Sequence, residues 1–169
     1  MPIQEASAAR GGASPGARPV AGDCLAKAVA LLGRREHLSA ELAAKLLKRG
    51  FETDQVERAI ATLSGQGYLD DRRVAADWAR RQVERRSWGA ARLKAELGRR
   101  AVAEDIVAEV VAEVCDEPEA AARRAAERWR ARHGDGGGDA LARHLARLGH
   151  APRGIVAALT GSADESHDS

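Results

Sequence analysis

Cysteine is nearly absent from this chain of 169 residues. Cys24 and Cys115 are too few for a disulfide framework or for a zinc site of their own. Both lie in apolar stretches with helical spacing, where a free Cys serves as a small core hydrophobe. Aromatic residues are equally scarce, with one Phe, one Tyr and three Trp. β-Branched residues are few as well, so strand formation has little to draw on. There is no run of 18 apolar residues and no apolar stretch near the start, so neither a membrane span nor a signal peptide is expected. An excess of one charge is also lacking, because 27 Lys and Arg against 25 Asp and Glu leave only +2. Preference for a charged partner must therefore come from how the charge is distributed. The chain reads as cytoplasmic, with no membrane contact.

What the sequence does hold is Ala, Leu, Arg and Glu, the strong helix formers. The expected fold class is all-α. Residues 1–22 are Gly, Ala, Ser and Pro without hydrophobic periodicity, and are expected to be disordered. The acidic end, 161–169, is expected to be loose as well. Helical patterning fills the interval, broken at Gly33, Gly65-Gln66-Gly67, Pro118 and the glycine run Gly134 to Gly138.

Laid over one another, the helical segments repeat. Leu42 and Leu46 are followed by Gly50-Phe51, then Val56, Ile60 and Leu63. Leu93 and Leu97 are followed by Ala101-Val102, then Val107, Val111 and Val114. Leu141 and Leu145 are followed by Gly149, then Ile155 and Leu159. Two Leu four apart share one helix face, and a small residue four positions on is where a helix ends in a left-handed turn. Apolar residues four apart then open a second amphipathic helix. Ser39 is placed to cap the first Leu helix, and Thr53 or Asp54 the helix after its turn. A further helix precedes each hairpin, over Cys24–Arg35, Asp71–Arg86 and Glu119–His133. The expectation is three tandem three-helix repeats in an elongated, curved array, at 23–69, 70–117 and 118–160. Units this small are marginal alone, and stacking neighbours stabilises them.

No catalytic constellation emerges. Gly134-Asp135-Gly136-Gly137-Gly138 lacks the Lys-Ser/Thr of a phosphate loop and reads as a flexible joint. His37, His133, His144, His150 and His167 form no ligand motif, so no metal or cofactor is expected. Asp70-Asp71 stands directly before a helix, where carboxylates cap free N–H groups. Trp78, Trp88 and Trp129 are spread out, which fits a buried Trp anchoring each unit better than stacking on bases.

Charge placement is more informative. Arg72 to Arg100 holds ten Arg or Lys against three acids, a local net of +7, and Ala101 to Glu119 holds seven acids and no base. Two readings fit: ion pairing between neighbouring helices, or a basic strip facing a polyanion or an acidic protein surface. Groove reading by a helix-turn-helix does not fit the second copy, whose last helix offers Glu104, Asp105 and Glu109 to the phosphates.

The run Gly67-Tyr68-Leu69-Asp70-Asp71-Arg72-Arg73-Val74-Ala75 resembles the glycine, tyrosine, leucine, aspartate signature of the bacterial RecX regulatory proteins. Gly89, Arg92-Leu93 and Glu96-Leu97 follow at that family's distances, and Ser39, Glu41-Leu42, Leu46 and Arg49-Gly50-Phe51 match its first repeat. The resemblance runs from Cys24 to Leu159. Val74 stands where the family has Phe, Ala101 where it has the turn Gly, and His150 where a large apolar residue is common. The resemblance implies a monomeric, non-enzymatic modulator of the RecA recombinase. Such a protein lodges in the groove of the RecA–DNA filament and restrains its growth, ATP hydrolysis, strand exchange and co-protease activity in DNA repair and the SOS response. Contacts spread over several units would add avidity. Charge alone selects Arg80, Arg81, Arg85, Arg86, Arg92, Lys94, Arg99 and Arg100 as the contact surface. The alternative is sequence-independent binding of single- or double-stranded DNA through its backbone.

Overall fold

A computed structural model describes residues 21–134 and 137–161. Among them are nine α-helices and no strand: α1 (Ala21–Leu32), α2 (Ser39–Leu47), α3 (Thr53–Gly65), α4 (Asp71–Arg86), α5 (Ala90–Arg99), α6 (Glu104–Val114), α7 (Pro118–His133), α8 (Gly138–Leu148) and α9 (Pro152–Thr160). Every substantial helix–helix packing lies inside a group of three: α1 to α3, α4 to α6, and α7 to α9. The fold is therefore all-α, in tandem three-helix units.

Several expectations change at the ends of elements. Ala21 and Gly22 belong to the first turn of α1, and the rest of the expected N-terminal disorder lies outside the described residues, as does 162–169. Of the glycine joint, Gly134 caps α7 and Gly138 opens α8, while 135–136 are likewise outside. The break expected at Pro118 falls between α6 and α7, with Pro118 as the first residue of α7, where the first helical position has no N–H partner to lose.

The three turns inside the hairpins share one geometry. Gly50, Ala101 and Gly149 have φ of 86°, 57° and 88°. The next N–H reaches back to close each helix: Phe51 to Leu46 O at 3.4 Å, Val102 to Leu97 O at 3.2 Å, His150 to Leu145 O at 3.2 Å. This left-handed closure satisfies carbonyls that the helix end would leave bare. Ala101 holds it despite its Cβ, at a cost of about 1–2 kcal/mol.

Three buried clusters follow the units. Leu42 and Leu46 are fully buried with Val56 and Phe51 in the first, Leu93 and Leu97 with Val107 and Val102 in the second, and Leu141 and Leu145 in the third. The second hairpin helix is rotated slightly from the expected face. Ala59, Val110 and Ala158 are buried, whereas Ile60, Val111, Ile155 and Leu159 sit half-buried on the rim. The spacing from Val56 to Ala59 and Leu63 centres the arc on the i, i+3, i+7 side, so the i+4 residue falls at its edge.

Helix capping also departs from the sequence reading. Glu52 caps α3 in a reciprocal box with Gln55, displacing Thr53 and Asp54. Ser39 is the first residue of α2, and its N–H donates to Asp71 Oδ1 at 2.7 Å. Asp70 caps α4 by accepting from the Arg73 N–H at 2.9 Å. The two adjacent carboxylates thus cap two different helices and tie the first unit to the second. Leu38, from the first unit's α1–α2 loop, is buried in the second unit's core beside them.

Candidate partner-binding surface

α4 and α5 carry the basic residues and α6 the acidic ones, and the fold packs α4 along α6. Arg72 donates to Glu109 at 3.2 Å and to Glu113 at 2.8 Å. Arg80 bonds the same Glu113 and also Asp77. Of the two readings of the charge pattern, intramolecular pairing therefore accounts for Arg72 and Arg80. Pairs this open to solvent contribute little to stability. Their larger effect is to cancel the charge of α4 on its α6 side.

The rest of the expected strip divides between two junctions. Arg81 and Arg100 line a cleft of 310 Å³ between the first and second units, where the Arg100 guanidinium lies 4.4 Å over the Trp78 ring. Arg85 and Arg86 line a cleft of 390 Å³ between the second and third. Arg92 is taken up there structurally, 4.5 Å over Trp88 and donating to Arg147 O at 3.1 Å. Arg99 pairs with Glu96 at 3.0 Å, and Lys94 is exposed on α5. Among the described residues, Arg81, Arg85 and Lys94 make no ion pair or hydrogen bond, so their charge remains available to a partner, whereas the Arg86 guanidinium lies 5.4 Å over the Trp88 ring.

The second junction is tightly built. The Gly89 N–H donates to Leu148 O at 2.7 Å and the Ala91 N–H to Gly149 O at 3.1 Å. Arg128 of α7 donates to Glu84 O and Ser87 Oγ, both at 2.9 Å. His150, buried where Phe51 and Val102 stand in the other copies, bonds Ser87 O through Nε2 at 3.0 Å. Burial holds the His150 pKa below its ordinary value, against the smaller opposing effect of that bond. The third unit is thus docked on the second through the α8–α9 turn, in addition to its covalent link at α7.

Sequence reasoning missed two groups. Arg128 and Arg132 share the 390 Å³ cleft with Arg85 and Arg86, although they belong to the third copy. The Arg-rich face of α7 was the available signal. Tyr68 is 67% exposed, whereas its neighbours hold the fold: Gly67 turns with φ 75°, Leu69 is buried, and Asp70 caps α4. The expectation of one buried Trp per unit is corrected too. The first unit has none, because Phe51 closes its small core. Trp78 and Trp88 share the second unit edge to face at 5.8 Å, and Trp129 is half-buried in the third.

Neither cysteine is poised for nucleophilic work, as burial pushes both thiols up, helped at Cys115 by Asp116. Among the described residues no group of three or more His, Cys, Asp or Glu is placed to hold a metal ion. No helix among them is long and apolar enough to cross a membrane.

Comparison with known proteins gives this architecture a family. Residues 24–63 match the family model described as RecX, first three-helix domain, and residues 70–111 the RecX second three-helix domain. The regulatory protein RecX of Pelodictyon phaeoclathratiforme is 38% identical over 86 residues, covering 51% of this chain and 54% of that protein. Regulatory protein RecX of Treponema pallidum strain Nichols is 45% identical over 75 residues, 44% of this chain and 46% of its own. The alignments span about half the length of the curated relatives. In fold, the chain is similar to a crystal structure of regulatory protein RecX, with a TM-score of 0.70 at 17% identity over 83% of this chain and 73% of that one. It is also similar to RecX from Lactobacillus salivarius, with a TM-score of 0.69 at 14% identity over 83% of this chain and 95% of that one. By its two consecutive three-helix domains, the chain belongs to the RecX family.

Proposed function

We propose that the chain is a non-enzymatic regulator that binds the RecA recombinase filament and restrains its growth, and with it ATP hydrolysis, strand exchange and co-protease activity in DNA repair and the SOS response. The observation that carries this reading is the ordered pair of RecX domains at 24–63 and 70–111. Relatives that share them are named regulatory proteins. In this reading the units at 23–69, 70–117 and 118–160 act in the cytoplasm as one monomer touching successive protomers of the filament. Arg81, Arg85 and Lys94 suit the contact, since their charge is not spent inside the fold, and Arg86 beside them is exposed although its guanidinium lies over Trp88. Tyr68 suits it as well, because an exposed Tyr with no part in the core is the kind of residue that anchors protein interfaces.

The test is RecA's DNA-dependent ATPase. Substoichiometric protein suppresses it, and Arg85→Glu with Arg86→Glu weakens the suppression. No effect at a large excess over RecA would sink the reading.

A further inference from the structure

The junction between the first and second units is anchored at one point and open beside it. Leu38 is buried in the second core and the Ser39 N–H donates to Asp71, so the two units meet in a fixed register. Next to these anchors lie two clefts of 310 and 320 Å³, and Glu36 and Val74 line both. Through those shared residues the clefts form one groove, with Tyr68 at one end and Arg81 and Arg100 at the other.

The floor of the groove is apolar. Leu32 and Leu63 line the Tyr68 end, Leu38 and Trp78 the Arg81 end, and Val74 lies between them. Its charge is one-sided. Two carboxylates line the Arg81 end, but folding uses both: Glu36 pairs with Arg73, and Glu41 with Arg35 and Lys45. Arg81 makes no ion pair or hydrogen bond among the described residues, and the Arg100 side chain makes none beyond lying 4.4 Å over the Trp78 ring. Two guanidinium groups are therefore left without a carboxylate at the edge of an apolar floor.

We infer that this groove docks an extended protein segment, which lays an aliphatic side chain over Val74 and presents a carboxylate to Arg81 and Arg100. The inference rests on the reading above that the partner is a protein, and adds the chemistry of the segment which that partner offers. Covering the floor removes apolar surface from water, and guanidinium forks donate to carboxylate oxygens in pairs. A nucleic-acid strand would supply anions but no aliphatic side chain. Nor is the Trp78 ring open to a base, because Arg100 lies over it and Trp88 meets it edge to face at 5.8 Å.

The test titrates the full chain with the peptide N-acetyl-Gly-Leu-Glu-Gly-amide, with no recombinase present, and follows the Trp78 indole N–H by NMR. Trp78→Phe assigns that signal. A saturable shift is expected. Peptides with Ala in place of Leu, or Gln in place of Glu, should each bind about tenfold more weakly, for the loss of a buried side chain or of a charge-assisted hydrogen bond. Arg81→Ala in the chain should weaken the parent peptide about tenfold as well. Val74→Phe should abolish binding, since the larger ring fills the floor. Circular dichroism verifies folding, and Arg81, being exposed, supplies the deciding variant if Val74→Phe does not fold. The proposal is overturned by the absence of a saturable shift, by equal binding of the three peptides, or by a folded variant that binds like the native chain. Oligothymidylate that moves the Trp78 signal at concentrations as low as the parent peptide overturns it too. The RecA ATPase separates the two readings. Peptide binding without suppression sinks the RecA reading and leaves the groove standing, whereas suppression without peptide binding overturns the groove alone.

Discussion

Gly89→Ala tests the joint between the second and third units without disturbing either core. Gly89 has φ −92° and ψ 173°, an extended conformation that alanine adopts freely, so no backbone strain enters. What the new methyl meets is the α8–α9 turn: Gly149 O at 2.5 Å and His150 N at 2.6 Å. Neither is the tip of a side chain that can swing away. The turn has to retreat, and with it go the bonds from Gly89 N–H to Leu148 O, from Ala91 N–H to Gly149 O, and from His150 to Ser87 O. Three hydrogen bonds at about 0.5–1.5 kcal/mol each set the loss near 1.5–4.5 kcal/mol. If the turn holds instead, overpacking costs about 1–3 kcal/mol. The two routes together span about 1–4.5 kcal/mol, or a fall in Tm of about 2–18 °C for a chain of this size. Gly98→Ala is the matched control, since nothing lies within 4 Å of its Cβ position. It sits near the end of α5 and should gain up to about 1 kcal/mol from helix propensity. Hydrogen exchange adds the location, with faster exchange expected in α8 and α9 but not in α2 and α3. A Gly89→Ala chain as stable as Gly98→Ala would refute the docked joint.

Three other outcomes are expected. Ala101→Gly relieves the left-handed turn at φ 57° and raises stability by about 0.5–1 kcal/mol after the entropy of the unfolded glycine is subtracted, whereas Gly50→Ala lowers it in urea titrations. Asp71→Ala removes the cap that crosses to the Ser39 N–H and costs about 1 kcal/mol, with α2 the first helix to gain hydrogen exchange. Burial holds the folded His150 pKa below its ordinary value of about 6.5, so the neutral ring's contribution is fully present above the ordinary value and is lost as pH falls from there through the lower folded pKa. His150→Phe, which places the first copy's residue type at this position, should flatten that part of the slope in Tm measured from about pH 7.5 to 5.5.

Much of the fold was legible because hairpin spacing and turn residues carry local physics. Leu42 and Leu46, Gly50 and Phe51 state a helix face, its end and the residue that covers it within ten positions, and the second and third copies repeat the statement. The rotation that buries Ala59 rather than Ile60 was not legible. It depends on how α3 leans on α1, and an Ala in a helix reads the same inside or out. Asp70-Asp71 was legible as a capping pair but not as caps for two helices, because the second bond joins residues 32 positions apart. The candidate site was less legible still. Net charge along α4 and α5 marked the basic residues, yet folding spends Arg80 on Glu113 and Arg92 on Trp88 and Arg147. It also brings in Arg128 and Arg132 from a copy that local counting treated separately.

The most direct test of the central claim is the rate of ATP hydrolysis by RecA on single-stranded DNA as this chain is titrated in, with DNA binding by the chain alone measured in parallel. Regulation of the filament requires the rate to fall at substoichiometric chain, under conditions where the chain alone leaves most of the DNA unbound. A rate that stays unchanged at a large excess of chain, or that falls only once the chain has covered the DNA, would contradict it.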